Sequence, residues 1–483
     1  MFTELIKKYN NVSVQAKASF WALICGILSK GIQIITTPVF TRLLSTAEFG
    51  QYNVFNSWMQ ILTIVISLSL SAGVFQQGLV KFEEDSKKYT SSMQGLSFTL
   101  TVLWLIVYLV FRNTWNKLLS LTTEQMLLMI ALIWLSSVFG FWLAEQRNDY
   151  KYKALVAVTF TASLLSPVTS IILIRISEDK VTARILGSFA VAFLIYVPLF
   201  FIQLKKGKSF FASDYWKDAL SLNLPLVPHY LSQVVLNSSD RIMIERMAGD
   251  SFAGIYGLAY SLSMVMTIIN NALHQTLSPW FYRKIKENQI SDISKVAYPS
   301  MIGVAAVNII LILFAPEAVR IFAPSAYFDA IWIIPPVAIS VFYMFSYDMF
   351  AKFAFYYEKT FFITVASIAG ATLNILLNFI FIRKFGYIAA GYTTLLCYIV
   401  YTAGHYIFMN KVCDKFCNGV RPYNTKIIIL ISSAFTVSGL LLLLTYNHFV
   451  VRYSMFIVVI VIAIILRNRI TEIARRIFNL KKV

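Results

Sequence analysis

The chain has 483 residues, of which 58% are hydrophobic and 13% are charged, with a formal net charge of +19. Soluble domains carry about 25% charged residues, so this composition excludes an ordinary soluble protein and favours one that lies in a membrane. Apolar runs of about 20 residues cross a bilayer as helices. The sequence predicts about fourteen such spans, at 19–40, 51–73, 92–111, 124–144, 154–174, 185–202, 220–240, 254–277, 296–315, 328–350, 360–382, 387–409, 426–445 and 450–466.

The first predicted span contains a lysine near its middle. Lys30, Gln33 and Thr37 fall on one helical face, at spacings of three and four residues. A charge at this depth is expensive in hydrocarbon, so a polar stripe on a membrane helix should face a cavity or another helix. Pairing with a buried carboxylate is the alternative, but the predicted spans hold few carboxylates. We therefore predict that Lys30 and Gln33 line a cavity that binds anions.

Further charged residues gather at the predicted ends of later spans. Arg42, Arg241 and Arg246 mark outer ends and complete the predicted cationic substrate site. Each of these charges could instead be an ordinary interfacial residue whose side chain reaches toward water. His274 could instead form a hydrogen bond that packs two helices. The candidate gate or coupling residues are Glu145, Arg147, Asp240, His274, Asp348 and Lys352.

An internal repeat relates the two halves of the chain. A shift of 204 residues places Arg42 on Arg246 and Gly50 on Gly254, and it carries six predicted spans onto the next six. Six is an even number, so both halves keep one orientation, as in parallel transporter repeats. The sequence predicts an all-α polytopic membrane protein with two pseudo-symmetric six-helix lobes plus two C-terminal helices. Two facing lobes are expected to enclose a central cleft that opens alternately to each side.

The predicted lobes occupy residues 1–204 and 205–410, and residues 411–483 hold the two additional helices and a basic cytoplasmic tail. With both termini cytoplasmic, most of the 42 lysines and arginines fall in inner segments, as the positive-inside rule requires. The positive charge therefore reports membrane orientation, and no nucleic-acid partner is expected. The polar, basic N-terminus lacks the apolar core of a cleavable signal peptide, so the first span is expected to be retained.

The sequence does not group residues in a way that would support enzyme chemistry. It has no nucleotide-binding Gly-Lys loop and no nucleophile beside a base. Cys413 and Cys417 have no nearby histidine or second cysteine pair, so no metal site and no bound cofactor are expected. We predict a transporter, driven by a proton or sodium gradient, by the membrane potential or by consumption of its product.

Three segments resemble the bacterial polysaccharide biosynthesis proteins, which are oligosaccharide flippases of O-antigen and capsule pathways. They are SKGIQIITTPVFTRLLSTAEFGQYNVFNSW (29–58), NSSDRIMIERMAGDSFAGIYGLAYSL (237–262) and LNILLNFIFIRKFGYIAAGYTTLLCY (373–398). The resemblance implies two lobes around a cationic cavity, and transfer of undecaprenyl-diphosphate-linked oligosaccharide from the cytoplasmic to the outer leaflet of the bacterial inner membrane. It also implies that Lys30 matches the basic residue of the family's first span. Arg42, Asp240 and Arg241 then match the charged residues of the family's motifs.

Within the multidrug/oligosaccharidyl-lipid/polysaccharide exporter superfamily, a lipid II flippase is the closest alternative, because it shares the basic cavity and the two extra spans. A multidrug antiporter would prefer acidic cavity residues. A membrane polysaccharide polymerase, which is an enzyme, should have a long outer loop. The resemblance implies a lipid-linked oligosaccharide, membrane lipids, a polysaccharide polymerase and a chain-length regulator as partners. The motifs do not reveal which sugars the substrate contains.

Overall fold

The computed structural model describes residues 13–465, 467–468 and 471–472. These residues form α-helices joined by turns and short 3₁₀ helices, and no β-strand occurs among them. The predicted all-α class is therefore confirmed. The N-terminal lysines Lys7 and Lys8, and the part of the predicted basic tail from residue 473 onward, lie outside the described residues.

The chain divides into two compact units, Met1–Val234 and Val235–Val483. The boundary falls within helix α10 (Val227–Ala248). The predicted limits at 1–204, 205–410 and 411–483 stay a prediction. The other helices of the first unit are α1 (Val14–Leu43), α2 (Thr46–Ser67), α3 (Gly73–Lys81), α4 (Ser86–Val110), α5 (Arg112–Leu119), α6 (Thr123–Asn148), α7 (Tyr152–Ile176), α8 (Lys180–Gly207) and α9 (Ser213–Asn223).

The second unit continues the helical arrangement. Its helices after α10 are α11 (Asp250–Met264), α12 (Met266–Lys286), α13 (Ile293–Leu313), α14 (Ala315–Phe322), α15 (Ile334–Tyr356), α16 (Thr360–Phe385), α17 (Ala389–Phe416), α18 (Thr425–Leu441) and α19 (Phe449–Ile465). Most predicted spans fall mainly on one long helix, but 220–240 is divided between α9 and α10, and 254–277 between α11 and α12.

Ten helical segments among the described residues are long and apolar enough to cross a membrane, counting α11 and α12 as one. α10 is less apolar because four charged residues, at positions 240, 241, 245 and 246, lie within it. The predicted repeat is also visible in the helices. α2 begins at Thr46 and α11 at Asp250, and the short helices α5 and α14 directly follow α4 and α13. Together these features confirm the predicted six-plus-six-plus-two arrangement of helices.

The start of α2 shows how the local sequence fixes a helix boundary. The Ser45 hydroxyl accepts a hydrogen bond from the Glu48 N–H at 3.2 Å, and Glu48 Oε2 accepts one from the Ser45 N–H at 2.7 Å. This capping box satisfies backbone donors that have no partner at a helix start. The matching position before α11 is Gly249, whose φ of 109° lies in the left-handed region that favours glycine.

Burial differs strongly among the spans. In an 18-residue stretch of α15, 83% of the residues are buried, and this helix packs against α11, α12, α13, α17 and α18. The corresponding share is 61% for α6, which packs against α2, α4 and α8. It is only 12% for α1. α15 and α6 therefore form the centres of their units, whereas few residues of α1 are fully buried.

Candidate functional site

α1 carries the predicted cationic stripe. Lys30 and Gln33 lie one turn apart, and both side chains are exposed. The Thr37 hydroxyl donates to the Gln33 carbonyl at 2.8 Å, so this third member of the stripe bonds to its own helix. Arg42 is exposed at the end of α1 and donates to the Pro38 carbonyl at 2.8 Å. Within the described part of the chain, the Lys30 ammonium forms no hydrogen bond or ion pair.

A buried arginine holds α8 against α1 and α2. The guanidinium of Arg184 lies 3.9 Å from the ring centroid of Phe40 and 3.5 Å from that of Tyr52. Such cation–π contacts strengthen when water is excluded, and Arg184 is buried. Phe40 and Tyr52 belong to the first family-like segment, 29–58, so part of that segment's pattern serves packing. Nothing in the linear sequence identifies Arg184 as their partner.

Asp240 is fully buried in the second unit, where four helices meet. Its Oδ2 accepts hydrogen bonds from the Tyr256 hydroxyl at 2.6 Å and from the Thr394 hydroxyl at 2.8 Å. Its Oδ1 accepts a hydrogen bond from the Asn378 amide at 2.6 Å. Because an unpaired buried carboxylate is very unfavourable, these charge-assisted bonds are what makes its burial tolerable.

Neutral side chains extend this arrangement away from the carboxylate. Asn378 also donates to Asn374 Oδ1 at 3.1 Å and accepts from the Thr393 hydroxyl. Ser239 donates to Asn374 Oδ1 at 3.2 Å. The second and third family-like segments, 237–262 and 373–398, supply all of these residues and therefore meet here. The Asp240 cluster consists of Ser239, Asp240, Tyr256, Asn374, Asn378, Thr393 and Thr394.

Arg241 adjoins the Asp240 cluster but contacts aromatic neighbours. Its guanidinium donates to the Asn237 carbonyl at 2.7 Å and lies 4.4 Å from the ring centroid of Tyr260. Asn237 Oδ1 in turn accepts hydrogen bonds from the Tyr398 hydroxyl at 2.7 Å and from the Tyr260 hydroxyl at 3.3 Å. Arg241 is buried, whereas Arg246 at the end of α10 is exposed. The predicted role of both arginines in substrate binding stays a prediction.

Three of the predicted coupling residues form a compact group, which we call the His–Asp–Lys triad: His274 on α12, and Asp348 and Lys352 on α15. His274 Nδ1 lies 2.8 Å from Asp348 Oδ2, and Lys352 Nζ donates to the same oxygen at 2.9 Å. The Lys352 side chain is only 6% exposed, while that of Asp348 is 34% exposed. One carboxylate thus serves two basic groups, of which one is nearly buried.

Glu145 occupies a different environment at the end of α6. Its Oε2 accepts a hydrogen bond from the Gln203 amide at 2.7 Å, and Gln203 Oε1 accepts one from the Gln94 amide at 2.5 Å. All three side chains are buried. This chain of hydrogen bonds joins α6, α8 and α4 around a carboxylate whose partners are neutral amides.

Arg147 is exposed and is not paired with Glu145 in the described part of the chain. It lines a small groove of about 160 Å³ together with Ala18, Ala22, Gln146, Tyr150, Tyr152 and Leu155. In the adjoining loop, Lys151 donates to Asp149 at 2.6 Å, and this hydrogen bond raises the pKa of Lys151. Glu145 and Arg147 therefore face different surroundings, and their predicted gate or coupling role stays a prediction.

Sequence patterns indicated some members of these groups and not others. Asn374 and Asn378 stand four residues apart on α16, which is a visible sign of a polar face within an apolar span. Tyr256, Thr393 and Thr394 carry no such sign, because their polar role depends on a carboxylate on another helix. Among the described residues, no group of three His, Cys, Asp or Glu side chains is suited to hold a metal ion.

Comparisons with solved structures show which fold this arrangement of helices adopts. A lipid II flippase, MurJ, in an inward closed conformation has a TM-score of 0.69 at 15% identity, covering 94% of this chain and 99% of that one. An inward-facing multidrug resistance MATE family transporter of the MOP superfamily has a TM-score of 0.60 at 13% identity, covering 80% and 95%. At these identities the likeness shows a shared fold alone.

Comparisons at the level of sequence show the family. Lsg locus protein 1 of Haemophilus influenzae is 21% identical over 379 residues, covering 74% of this chain and 89% of that protein. The family model described as "polysaccharide biosynthesis protein" matches residues 16–285, which is more than half of the chain. The match includes two of the three family-like segments. The chain, a multi-pass membrane protein, therefore belongs to the polysaccharide biosynthesis protein family.

Proposed function

We propose that this protein is a flippase that moves undecaprenyl-diphosphate-linked oligosaccharide repeat units from the cytoplasmic to the outer leaflet of the bacterial inner membrane by alternating access. Family membership supports a role in polysaccharide biosynthesis. The fold shared with a lipid II flippase and a multidrug transporter supports transport. This proposal includes the choice of cargo, a role in an O-antigen or capsule pathway, and a cytoplasmic position for both termini.

The observation that carries the proposal is the exposure of Lys30 on an apolar helix. A lysine in the middle of a span is costly if it meets lipid tails, so it is retained where it meets water or an anion. The neighbouring amide of Gln33 is also exposed. A cation beside a hydrogen-bonding amide suits a head group that carries both phosphates and sugar hydroxyls.

This pairing assigns a separate role to each part of the cargo. The diphosphate lies near Lys30, with the exposed Arg42 as a further cation toward the end of α1. Neutral polar groups such as Gln33 hydrogen-bond the sugars, and the polyprenyl tail stays in the bilayer. A proton or sodium gradient, or removal of the product by a polysaccharide polymerase with its chain-length regulator, drives net transfer.

Complementation combined with a charge scan tests this proposal. A host that lacks its own flippase for a known surface polysaccharide receives this chain, and surface polymer and intracellular lipid-linked precursor are measured. Lys30→Ala and Lys30→Asp should lower surface polymer by about tenfold or more, equivalent to about 1.4 kcal/mol of lost interaction, with precursor accumulating inside. Lys30→Arg should retain most of the polymer because it keeps the positive charge.

The matched control is Lys117→Ala, which removes another exposed lysine, on the short helix α5. It should leave surface polymer unchanged at equal expression. If polymer is restored but does not respond to Lys30 substitution, the flippase proposal stands and the role of Lys30 is wrong.

Lipid II flipping is the second candidate function, favoured by the near-complete coverage of both chains in the comparison with the lipid II flippase. A host depleted of its lipid II flippase separates the two functions. Rescue of growth in that host, without restored polymer in any polysaccharide host, would replace the first proposal by the second.

A further inference from the structure

We propose that His274 binds the proton that couples this transporter to the proton gradient, and that the His–Asp–Lys triad converts this protonation into movement of α12 against α15. The inference rests on the transport function proposed above and deepens it by assigning the driving ion to one site. It is carried by three observations: a shared carboxylate oxygen, the burial of Lys352, and a helix that begins at a local break before His274 and contains a proline after it.

The shared oxygen makes the triad sensitive to one added charge. With a neutral imidazole, Asp348 and Lys352 cancel in charge, and His274 Nδ1 lies 2.8 Å from Asp348 Oδ2. The proton then enters at the one remaining lone pair of the ring. It is taken from water on one side and returned to water on the other, and no other bond is made or broken.

Protonation leaves the triad with one uncompensated positive charge. Imidazolium and ammonium then compete for a single oxygen, Asp348 Oδ2, at 2.8 and 2.9 Å. A charge without a partner in a poorly solvated site is strongly unfavourable. Because Lys352 is 6% exposed, it cannot turn to water without a shift of the helix that carries it or of the helix that faces it.

Among the described residues, Asp348 is the one carboxylate that forms an ion pair with His274. The Phe345 ring stands 4.7 Å from the imidazole and limits its contact with water. Asp348 interacts electrostatically with the phenols of Tyr282 and Tyr347, which are neutral near pH 7. Other titratable groups near these helices include Tyr401 and His405 of α17, whose rings adjoin Tyr347. Lys284, Arg283 and Lys286 lie in the last turn of α12, where Lys284 pairs with Glu287 and Asp292. Lys295, near the start of α13, pairs with Asp292.

α12 has one weakened point on each side of His274. At its start, the Ile268 N–H donates to the Val265 carbonyl at 3.0 Å. This backbone bond spans three residues rather than four, which marks a local break where the helix begins. Five residues after His274, Pro279 has no N–H to give to the preceding turn. The helix continues through Pro279 to Lys286, and the missing backbone hydrogen bond makes this point easier to bend than a regular helix.

The movement can be tested without any cargo. Ile269→Cys on α12 and Phe355→Cys on α15 place nitroxide labels at two exposed positions, and the four native cysteines, which are buried, remain as in the natural chain. The chain without added cysteines is the labelling control. In reconstituted protein, the distance between the labels should change between about pH 5 and 8, the range in which histidines titrate.

His274→Gln should abolish this change, and so should Asp348→Asn, which keeps the shape of the side chain. The matched control is His448→Gln, because His448 is exposed and lies outside the triad, and it should behave as the natural chain does. An unaltered pH response in a folded His274→Gln or Asp348→Asn variant overturns the proposal, as does a natural chain whose label distance is constant over this range.

The second arm measures coupling in the complemented host. When nigericin removes a gradient of one pH unit, surface polymer made by the natural chain should fall by up to about tenfold. The His274→Gln variant should respond little, and His448→Gln should respond fully. The coupling role is overturned if surface polymer does not depend on the pH gradient, or if the His274→Gln variant keeps the full response. If no host is complemented, the transport proposal fails, while the label distances still decide whether His274 moves α12.

Discussion

The two helices that open the repeats, α1 and α10, carry polar residues at matching positions and use them differently. The 204-residue shift places Gln33 on Asn237. Gln33 is exposed beside Lys30 on a helix that is mostly unburied. Asn237 instead accepts hydrogen bonds from two tyrosines, three residues before the buried Asp240. The repeat thus preserves the course of the helix but not the role of its polar face.

This difference shows how one duplicated helix can serve two purposes. On α10, Asn237 and Asp240 accept hydrogen bonds from side chains of neighbouring helices, so these residues hold the second unit together. On α1, the matching Gln33 and the nearby Lys30 are exposed. Substitutions of these α10 residues should therefore lower the free energy of unfolding, whereas substitutions of Lys30 or Gln33 on α1 should lower transport activity.

Asp240→Ala should give the largest effect on stability. It leaves the donors of Tyr256, Asn378 and Thr394 without their acceptor in a buried site, and we expect the free energy of unfolding to fall by about 3–5 kcal/mol. Thermal unfolding in detergent measures the change. Glu84→Ala, at an exposed turn, is the control and should change the free energy of unfolding by less than about 0.5 kcal/mol. Equal losses in both variants would mean that the Asp240 cluster contributes nothing.

The pair Asn237→Ala and Gln33→Ala compares the two helices at one repeat position. Asn237→Ala removes the acceptor shared by Tyr260 and Tyr398, so a loss of about 1–3 kcal/mol is expected. Gln33→Ala should change the free energy of unfolding by less than about 0.5 kcal/mol, because the side chain is exposed. The same unfolding measurement serves both, and similar values would contradict the division of roles between α1 and α10.

Ser45→Ala should lower the free energy of unfolding less than Asp240→Ala or Asn237→Ala does. It removes one half of the capping box that begins α2, at a cost of about 1 kcal/mol. Glu48→Gln is the matched control, since glutamine can also accept from the Ser45 N–H and should preserve the box. The second repeat has Gly249 at this position and no side-chain cap. A neutral Ser45→Ala variant would show that tertiary packing alone fixes the start of α2, as it does for α11.

The helices could be predicted from the sequence because each apolar run must match the thickness of a bilayer. The repeat could be predicted because its offset is constant. The break at Val265 could not, since no glycine or proline marks it. The partners of Arg184 and Asp240 could not be predicted either, because they lie on helices far along the chain. A single sequence shows that a buried polar residue needs a partner, but it does not show which one.

The wide separation of the partners of Asp240 has a consequence for biogenesis. Asn378 and Thr394 follow Asp240 by 138 and 154 residues. At a synthesis rate of about 5–20 residues per second, α10 leaves the ribosome several seconds before α16 and α17 exist. During that interval its carboxylate must stay near water or the insertion machinery rather than in lipid. The second unit can therefore close around Asp240 only after the segment ending near residue 398 has been inserted, and a chain truncated earlier should be recognised and degraded.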